Sequence, residues 1–267
     1  MRRLVRAVVL LFGCLLVAAT LVWWLNVRGE AAIPVVQAEP ASTAGQIERG
    51  AYLARAGNCS GCHTDRGGAP YAGGKGIPTP FGTVYASNLT PDVKTGIGSW
   101  NAAHFWRAMH HGRSKDGRLL YPAFPYPSFT LITRDDSDAL YAFLRSQAPA
   151  QQPNQPHALR FPYDMQPALA VWRALFFAPR TFERLANQSE RWNRGAYLVR
   201  GLGHCDACHA PRNIFGATRS AIELSGGLIP NQHWYAPSLA DGGEAGVADW
   251  PLDEVVQLMS RGISSRG

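Results

Sequence analysis

The chain has 267 residues, of which 46% are hydrophobic and 17% are charged, and its formal net charge is +7. This length accommodates two small domains with linkers. Beyond the first six residues the basic side chains form no cluster, so we expect no nucleic acid partner. An acidic protein surface is a more natural partner for the excess positive charge.

The N-terminus has the pattern of a membrane anchor. Arg2, Arg3 and Arg6 precede an uncharged apolar run, Ala7 to Leu25. As a helix this run spans about 30 Å, the thickness of one bilayer core. The arginines place the N-terminus in the cytoplasm. We therefore predict an uncleaved anchor over residues 1–28; a cleaved signal peptide is the alternative, because small residues follow at 29–32. Cys14 reads as a small apolar residue of the membrane helix.

Composition divides the rest of the chain. Residues 29–45 are predicted to be a flexible linker, and residues 46–147 a first domain. A second linker, 148–190, is rich in proline, glutamine and asparagine at its start. It also contains a short apolar helix at Ala168–Phe177, which cannot span a membrane. Residues 191–267 form the predicted second domain.

Two copies of the pattern C-x-x-C-H carry the chemistry: Cys59-Ser60-Gly61-Cys62-His63 and Cys205-Asp206-Ala207-Cys208-His209. In this pattern two thiols add to the haem vinyl groups, and the adjacent histidine becomes an axial ligand of the iron. A zinc site needs further ligands that neither copy has nearby, and a thioredoxin-like pair needs a βαβ context that is missing. The sequence therefore predicts two covalently bound haem c, with Cys59, Cys62, Cys205 and Cys208 as attachment residues and His63 and His209 as axial ligands.

The two motifs lie in an internal repeat. Arg49-Gly50-Ala51-Tyr52-Leu53 precedes the first motif, Arg194-Gly195-Ala196-Tyr197-Leu198 precedes the second, and Tyr85-Ala86 matches Tyr235-Ala236 further on. Such a long repeat suits a duplicated domain. Each copy reads as a short helix, the motif, a Gly/Pro-rich loop and a second helix, which in the first copy is Ala102 to His111. A third helix is predicted from Arg134 to Ser146.

The predicted fold is therefore mostly α, with an N-terminal transmembrane helix and two haem domains. In the register of the repeat, Gly267 matches Gly117, after which the first copy continues into its third helix. We expect the second domain to be incomplete and the sequence to be truncated.

Five segments of the chain resemble one protein family. They are the two R-G-x-Y-L plus C-x-x-C-H blocks, Tyr85–Asp92, Thr95–Trp100 and Leu120–Tyr126. They are similar to the membrane-bound cytochrome c subunits of bacterial periplasmic dehydrogenases, of the alcohol, gluconate 2- and nicotinate type. The resemblance implies two cytochrome c-like domains at the periplasmic face of the inner membrane. It also implies an electron-transfer subunit that is not catalytic by itself. Such a subunit carries electrons from a dehydrogenase catalytic subunit to ubiquinone or a terminal oxidase. The family usually carries three such motifs.

The chain departs from the family at Phe124, where many members have the methionine that is the distal iron ligand. Met109, His110, His111 and Met165 are the nearby residues that could replace it, or the first haem could lack a sixth ligand. An open haem would suit a dihaem peroxidase-like enzyme, which is the alternative function. A third alternative is a haem protein that only docks a dehydrogenase at the membrane.

Overall fold

A computed structural model describes residues 1–33, 41–218, 224–229, 234–240, 244, 246–247 and 249–264. The predicted mostly helical architecture with an N-terminal apolar helix is confirmed. The helices are α1 (Arg2–Val27), α2 (Ala44–Ala56), α3 (Cys59–His63), α4 (Ala102–His111), α5 (Tyr126–Phe129), α6 (Arg134–Arg145), α7 (Gln166–Phe176), α8 (Glu190–Tyr197), which continues as a π-helix (Leu198–Leu202), α9 (Asp206–His209) and α10 (Leu252–Arg261). The strands are β1 (Gly76–Thr79), β2 (Gly82–Tyr85), β3 (Ala158–Leu159), β4 (Gly227–Ile229) and β5 (Trp234–Ala236).

Helix α1 is long and apolar enough to cross a membrane. Its 26 residues correspond to about 39 Å, and none of them is buried. A helix whose apolar residues lie on every side and are mostly exposed suits a lipid environment. A signal sequence near an N-terminus has the same length and composition, so this helix alone does not distinguish the two.

Helices α2, α4 and α6 form the core of the first half of the chain. The helix predicted at 102–111 is confirmed, and the predicted third helix ends one residue earlier than expected, at Arg145. Capping explains these ends: Asn101 and Thr133 accept hydrogen bonds from the first turns of α4 and α6, and Gly112 ends α4 with a φ of 59°.

The apolar residues of these helices make one cluster. Its buried members include Leu53 of α2, Phe105 and Met109 of α4, and Leu140 and Leu144 of α6. Helix α2 approaches α6 closely because Gly50 lies against the backbone of Ala139, where a Cβ has no room. Helix α3, which carries the first C-x-x-C-H motif, follows α2 directly, so this core fixes its starting point.

Two small antiparallel sheets were not predicted from the sequence. Strands β1 and β2 form a hairpin with Gly76 opposite Tyr85, and β3 adds to β2 through Gly82 and Leu159. Strands β4 and β5 form a second hairpin with Gly227 opposite Ala236. The strands have two to four residues, too short for an alternating pattern to be visible.

The chain divides into two compact units, residues 1–204 and residues 205–267. Helix α8, which the repeat assigns to the second copy, lies in the first unit. Two of its side chains contact the buried carboxylate of Asp136: Tyr197 Oη donates to Asp136 Oδ2 at 2.7 Å, and Arg194 Nη1 lies 3.4 Å from the same oxygen. Thr133 N in turn donates to Tyr197 Oη at 2.9 Å. Arg49, the equivalent of Arg194 in the first copy, pairs with the other oxygen, Oδ1.

In the second unit, the described residues form α9, the β4–β5 hairpin and α10. Helix α10 ends at Gly262, which has a φ of 68°, as Gly112 does for α4. Gly267, on which the expectation of a truncated domain depends, lies outside the described residues. So do residues 34–40 of the predicted first linker. Glu30, at the start of that linker, is held by Arg107 and Arg113 at 3.5 and 3.4 Å.

Candidate haem sites

The first C-x-x-C-H motif folds as the short helix α3. In a helix, residues three and four positions apart share one face, so Cys59, Cys62 and His63 point to the same side. Asn58 precedes the helix in a left-handed conformation, with a φ of 48°. Both thiols are half-buried and neither is in a disulfide. The spacing of the motif therefore places two attachment atoms and one possible iron ligand together.

The ring of His63 is held by a backbone carbonyl. Its Nδ1 lies 2.7 Å from the oxygen of Ser87. A carbonyl only accepts, so Nδ1 carries the proton and Nε2 has the lone pair that binds a metal. Burial also lowers the pKa of His63, which favours the neutral ring.

Gly73 fixes the position of the Ser87 carbonyl. Its N–H donates to the oxygen of His63 at 2.8 Å, and its φ is +77°. A Cβ at Gly73 would lie 2.5 Å from the carbonyl carbon of Ser87. Beside it, Leu89 N donates to the oxygen of Tyr71 at 2.8 Å. Because residue 73 is glycine, the backbone after the motif can contact both His63 and Ser87, whose carbonyl orients the His63 ring.

The second motif repeats this arrangement. Cys205 is the N-cap of α9, and His209 Nδ1 lies 2.7 Å from the oxygen of Pro237. Gly226 N donates to the oxygen of His209 at 3.0 Å, and its φ is +84°. A Cβ at Gly226 would lie 2.9 Å from the nitrogen of Ser238. Both predicted axial histidines are therefore held in the same tautomer by the same backbone device.

Sequence reasoning did not find these supporting residues. Ser87 and Pro237 differ in side chain because only their carbonyl oxygens are used. The signal that could have found them is the shared Tyr-Ala pair immediately before each, at Tyr85 and Tyr235. Gly73 and Gly226 lie at a different offset of the repeat, which hid their equivalence.

The residues fit haem c better than the two alternatives. Burial raises the pKa of Cys59 to about 12, whereas a reactive redox thiol requires a lowered pKa. Across the part of the chain that the structure describes, no group of three or more His, Cys, Asp or Glu residues is arranged to hold a metal ion. Each motif thus offers two thiols and one imidazole nitrogen, which is the donor set for thioether attachment and a single axial bond.

On the possible distal side, Phe124 packs against the same apolar cluster as Cys59, and its ring centroid lies 5.3 Å from that of Phe129. Met109 is a buried member of this cluster. Met165 is 41% exposed at the start of α7.

The two candidate histidines pack against other aromatic rings. The ring of His110 stacks on that of Trp106, with the centroids 4.3 Å apart. The ring of His111 packs edge-on against that of His110, with the centroids 4.7 Å apart. Of the four candidates for the distal position, only Met109 shares the cluster of Cys59 and Phe124.

Comparison with known proteins agrees with this geometry. Residues 47–148 match the family model described as cytochrome c. The chain is 34% identical over 231 residues to a diheme cytochrome c-type protein of Cereibacter sphaeroides, covering 84% of this chain and 76% of that protein. The chain belongs to the c-type cytochrome family that includes this diheme relative.

Other relatives in the family are longer. The chain is 47% identical over 225 residues to a nicotinate dehydrogenase subunit of Pseudomonas putida, covering 84% of this chain and 19% of the relative. It is 41% identical over 225 residues to the gluconate 2-dehydrogenase cytochrome c subunit of Pantoea cypripedii, covering 81% and 51%. The chain thus spans about half or less of these two relatives. A cytochrome c domain implies covalently bound haem c, and the first motif lies within the matched residues 47–148.

Proposed function

We propose that this chain is an electron-transfer subunit that binds two haem c, at Cys59, Cys62 and His63 and at Cys205, Cys208 and His209. The observation that carries the proposal is the pair of 2.7 Å contacts from His63 to Ser87 and from His209 to Pro237. When bound, each haem supplies a one-electron couple. The protein would attach each haem through two thiols and keep Nε2 of the histidine unprotonated. At the first motif, the apolar cluster that contacts Cys59 would also cover the haem.

We further propose that these domains correspond to residues 46–147 and 191–267, joined by 148–190. The chain would take electrons from a dehydrogenase catalytic subunit, as the names of the relatives suggest, and pass them to ubiquinone or a terminal oxidase. The substrate is a property of the catalytic subunit.

The proposed location is the inner membrane, with α1 as an uncleaved single-pass anchor and the haem domains in the periplasm. Contacts at the end of α1 support an anchor over a signal peptide. Asn26 donates to the oxygen of Ala170 at 2.9 Å and accepts from Arg173 at 2.8 Å. Arg173 is 2% exposed, and Glu30 pairs with Arg107 and Arg113. Cleavage near Ala31 would take Asn26 from the buried Arg173 and Glu30 from the half-buried Arg107 and Arg113, which leaves these cations with fewer partners.

Haem attachment is tested by mass and by haem staining of the denatured protein. We expect the mass of two haems; Cys59→Ala and Cys205→Ala should each weaken one attachment, while the control Cys14→Ala leaves both intact. Release of all haem by acid-acetone would contradict the proposal.

Anchoring is tested by carbonate washing and by the N-terminal sequence of the mature protein. We expect the chain to stay in the membrane fraction with α1 intact. A soluble mature chain beginning near Ala31 would refute the anchor and leave the haem proposal standing.

Electron transfer is tested in membranes that contain the catalytic subunit. Substrate should reduce the haems, and a ubiquinone analogue or oxygen should reoxidise them. The peroxidase-like alternative rests on Phe124, which offers no ligand atom. Turnover of hydrogen peroxide by the isolated chain, without reduction by a dehydrogenase, would favour that alternative.

A further inference from the structure

Helix α7 has an unusual surface for a helix outside a membrane. Its only charged residue is Arg173, which is 2% exposed. Leu169, Arg173 and Phe177 make the buried side, at the spacing of one helix face. Val171 and Leu175, on another side and four residues apart, are 47% and 68% exposed. A surface helix normally places charged or polar side chains opposite its buried stripe, and α7 does not.

The contacts between α7 and the end of α1 indicate what covers this exposed side. Ala170 and Arg173 are hydrogen-bonded to Asn26, which is the penultimate residue of α1. The uncharged apolar run of α1 ends one residue earlier, at Leu25. If α1 spans the bilayer, Asn26 lies at its surface, and the two hydrogen bonds hold the middle of α7 at the same level.

The length of α7 agrees with a position in the interface. Eleven residues make a helix of about 16 Å, roughly half of the hydrocarbon core, so α7 cannot cross it. Helices that lie in the interface bury their apolar side by about 5–10 Å. The two tryptophans of the last turns of α1, Trp23 and Trp24, are 65% and 52% exposed, as expected of side chains at this depth.

We propose that α7 is an interfacial membrane helix, whose Val171 and Leu175 insert into the periplasmic leaflet beside the end of α1. This proposal rests on the proposed anchoring of α1 in the membrane. Since Arg173 links Asn26 to the carbonyls of His111 and Gly112, α7 would hold the first haem domain against the lipid surface at a fixed orientation. A flexible connection between anchor and domain would leave that orientation free.

The test uses the full haem-loaded chain in vesicles of phosphatidylcholine and phosphatidylglycerol, with a nitroxide label on one cysteine. With the other cysteines bound to haem, Cys14 is the labelled site in the unsubstituted chain and reports the membrane depth of α1. Leu175→Cys in a Cys14→Ser background reports α7. Val93→Cys in the same background is the control, because Val93 is 67% exposed, close to the 68% of Leu175.

Collisions of each label with oxygen, which concentrates in lipid, are compared with collisions with a water-soluble nickel chelate. We expect the oxygen-to-nickel ratio at position 175 to resemble that at Cys14 and to exceed that at position 93 severalfold. A ratio at 175 equal to that at 93 would overturn the proposal. A label at 175 that is shielded from both reagents would also overturn it, because a protein would then cover α7. A water-exposed Cys14 would refute the anchor itself, which separates the two failures.

Discussion

The substitution Gly73→Ala tests how the first axial histidine is held. Gly73 has a φ of +77°, and a Cβ there would lie 2.5 Å from the carbonyl carbon of Ser87 and 2.7 Å from the oxygen of Ala86. Reaching ordinary contact at 3.4 Å requires a movement of about 0.9 Å. The same movement of the Ser87 oxygen would lengthen its 2.7 Å contact with His63 to about 3.6 Å, which is no longer a hydrogen bond.

Gly67→Ala is the matched control. Gly67 has a φ of +76°, and a Cβ there meets no described atom within 4 Å. Both variants bear the left-handed strain of about 1–2 kcal/mol. Only Gly73→Ala adds the steric term, about 2 kcal/mol for an extra methyl in a tight site. We therefore expect its melting temperature to fall about 4–8 °C below that of Gly67→Ala.

The assay that reports the site is the midpoint potential of each haem. Losing the hydrogen bond on Nδ1 makes the imidazole a weaker electron donor, so the potential of the first haem should rise in Gly73→Ala. The second haem, held through Pro237, should keep its potential. Equal potentials and equal stabilities of the two variants would refute the view that Gly73 sets the position of the Ser87 carbonyl.

Three further predictions concern other parts of the chain. Asp136→Ala removes the carboxylate that Tyr197 and the half-exposed Arg49 and Arg194 share, and should lower the free energy of unfolding in urea by about 3 kcal/mol. The control Asp135→Ala, in the same helix turn but exposed, should change it by less than about 0.5 kcal/mol; equal effects would count against the shared carboxylate. Burial, and then His110 and nearby arginines, lower the pKa of His111 from 6.5 to about 4. As the pH falls, His111 is therefore protonated in the unfolded chain before it is protonated in the folded chain. The contribution of His111 to the free energy of unfolding is complete above pH 6.5 and is lost towards pH 4, by at most about 1.4 kcal/mol per pH unit. His111→Gln should make the free energy of unfolding, measured with urea at several pH values, fall less steeply over this range. Equal slopes for the variant and the unsubstituted chain would contradict this. Phe124→Met offers a thioether where the family commonly has one, so the ferric first haem should become low-spin and its potential should rise, and an unchanged spectrum would show that residue 124 does not ligate the iron.

The sequence predicted those features that depend on neighbours along the chain. Helix α6 was located because Leu140, Phe143 and Leu144 recur at helical spacing, and α4 was located from the order of elements within the repeat. The motif histidines were identified as candidate axial ligands because haem attachment requires a fixed local spacing.

Features that depend on distant contacts were not predicted. The carbonyls of Ser87 and Pro237 have no side-chain signature, so a serine and a proline do the same work. Arg173 reads in the sequence as an interruption of an apolar helix. Its partners, Asn26 and the carbonyl of His111, are 147 and 62 residues away along the chain. The equivalence of Gly73 and Gly226 was likewise missed, because the loops that follow the two motifs differ in length and shift the spacing between equivalent residues.

The carboxylate of Asp136 limits how the two copies of the repeat can be exchanged. Arg49 and Arg194 occupy the same position of the repeat, yet they bind different oxygens of one side chain. The two copies are therefore not interchangeable modules, because one acid of the first copy binds the leading helices of both. Replacing the second copy would keep these contacts only if the donor brings the arginine and the tyrosine of α8. Replacing the first copy would keep them only if the donor brings the acid of α6.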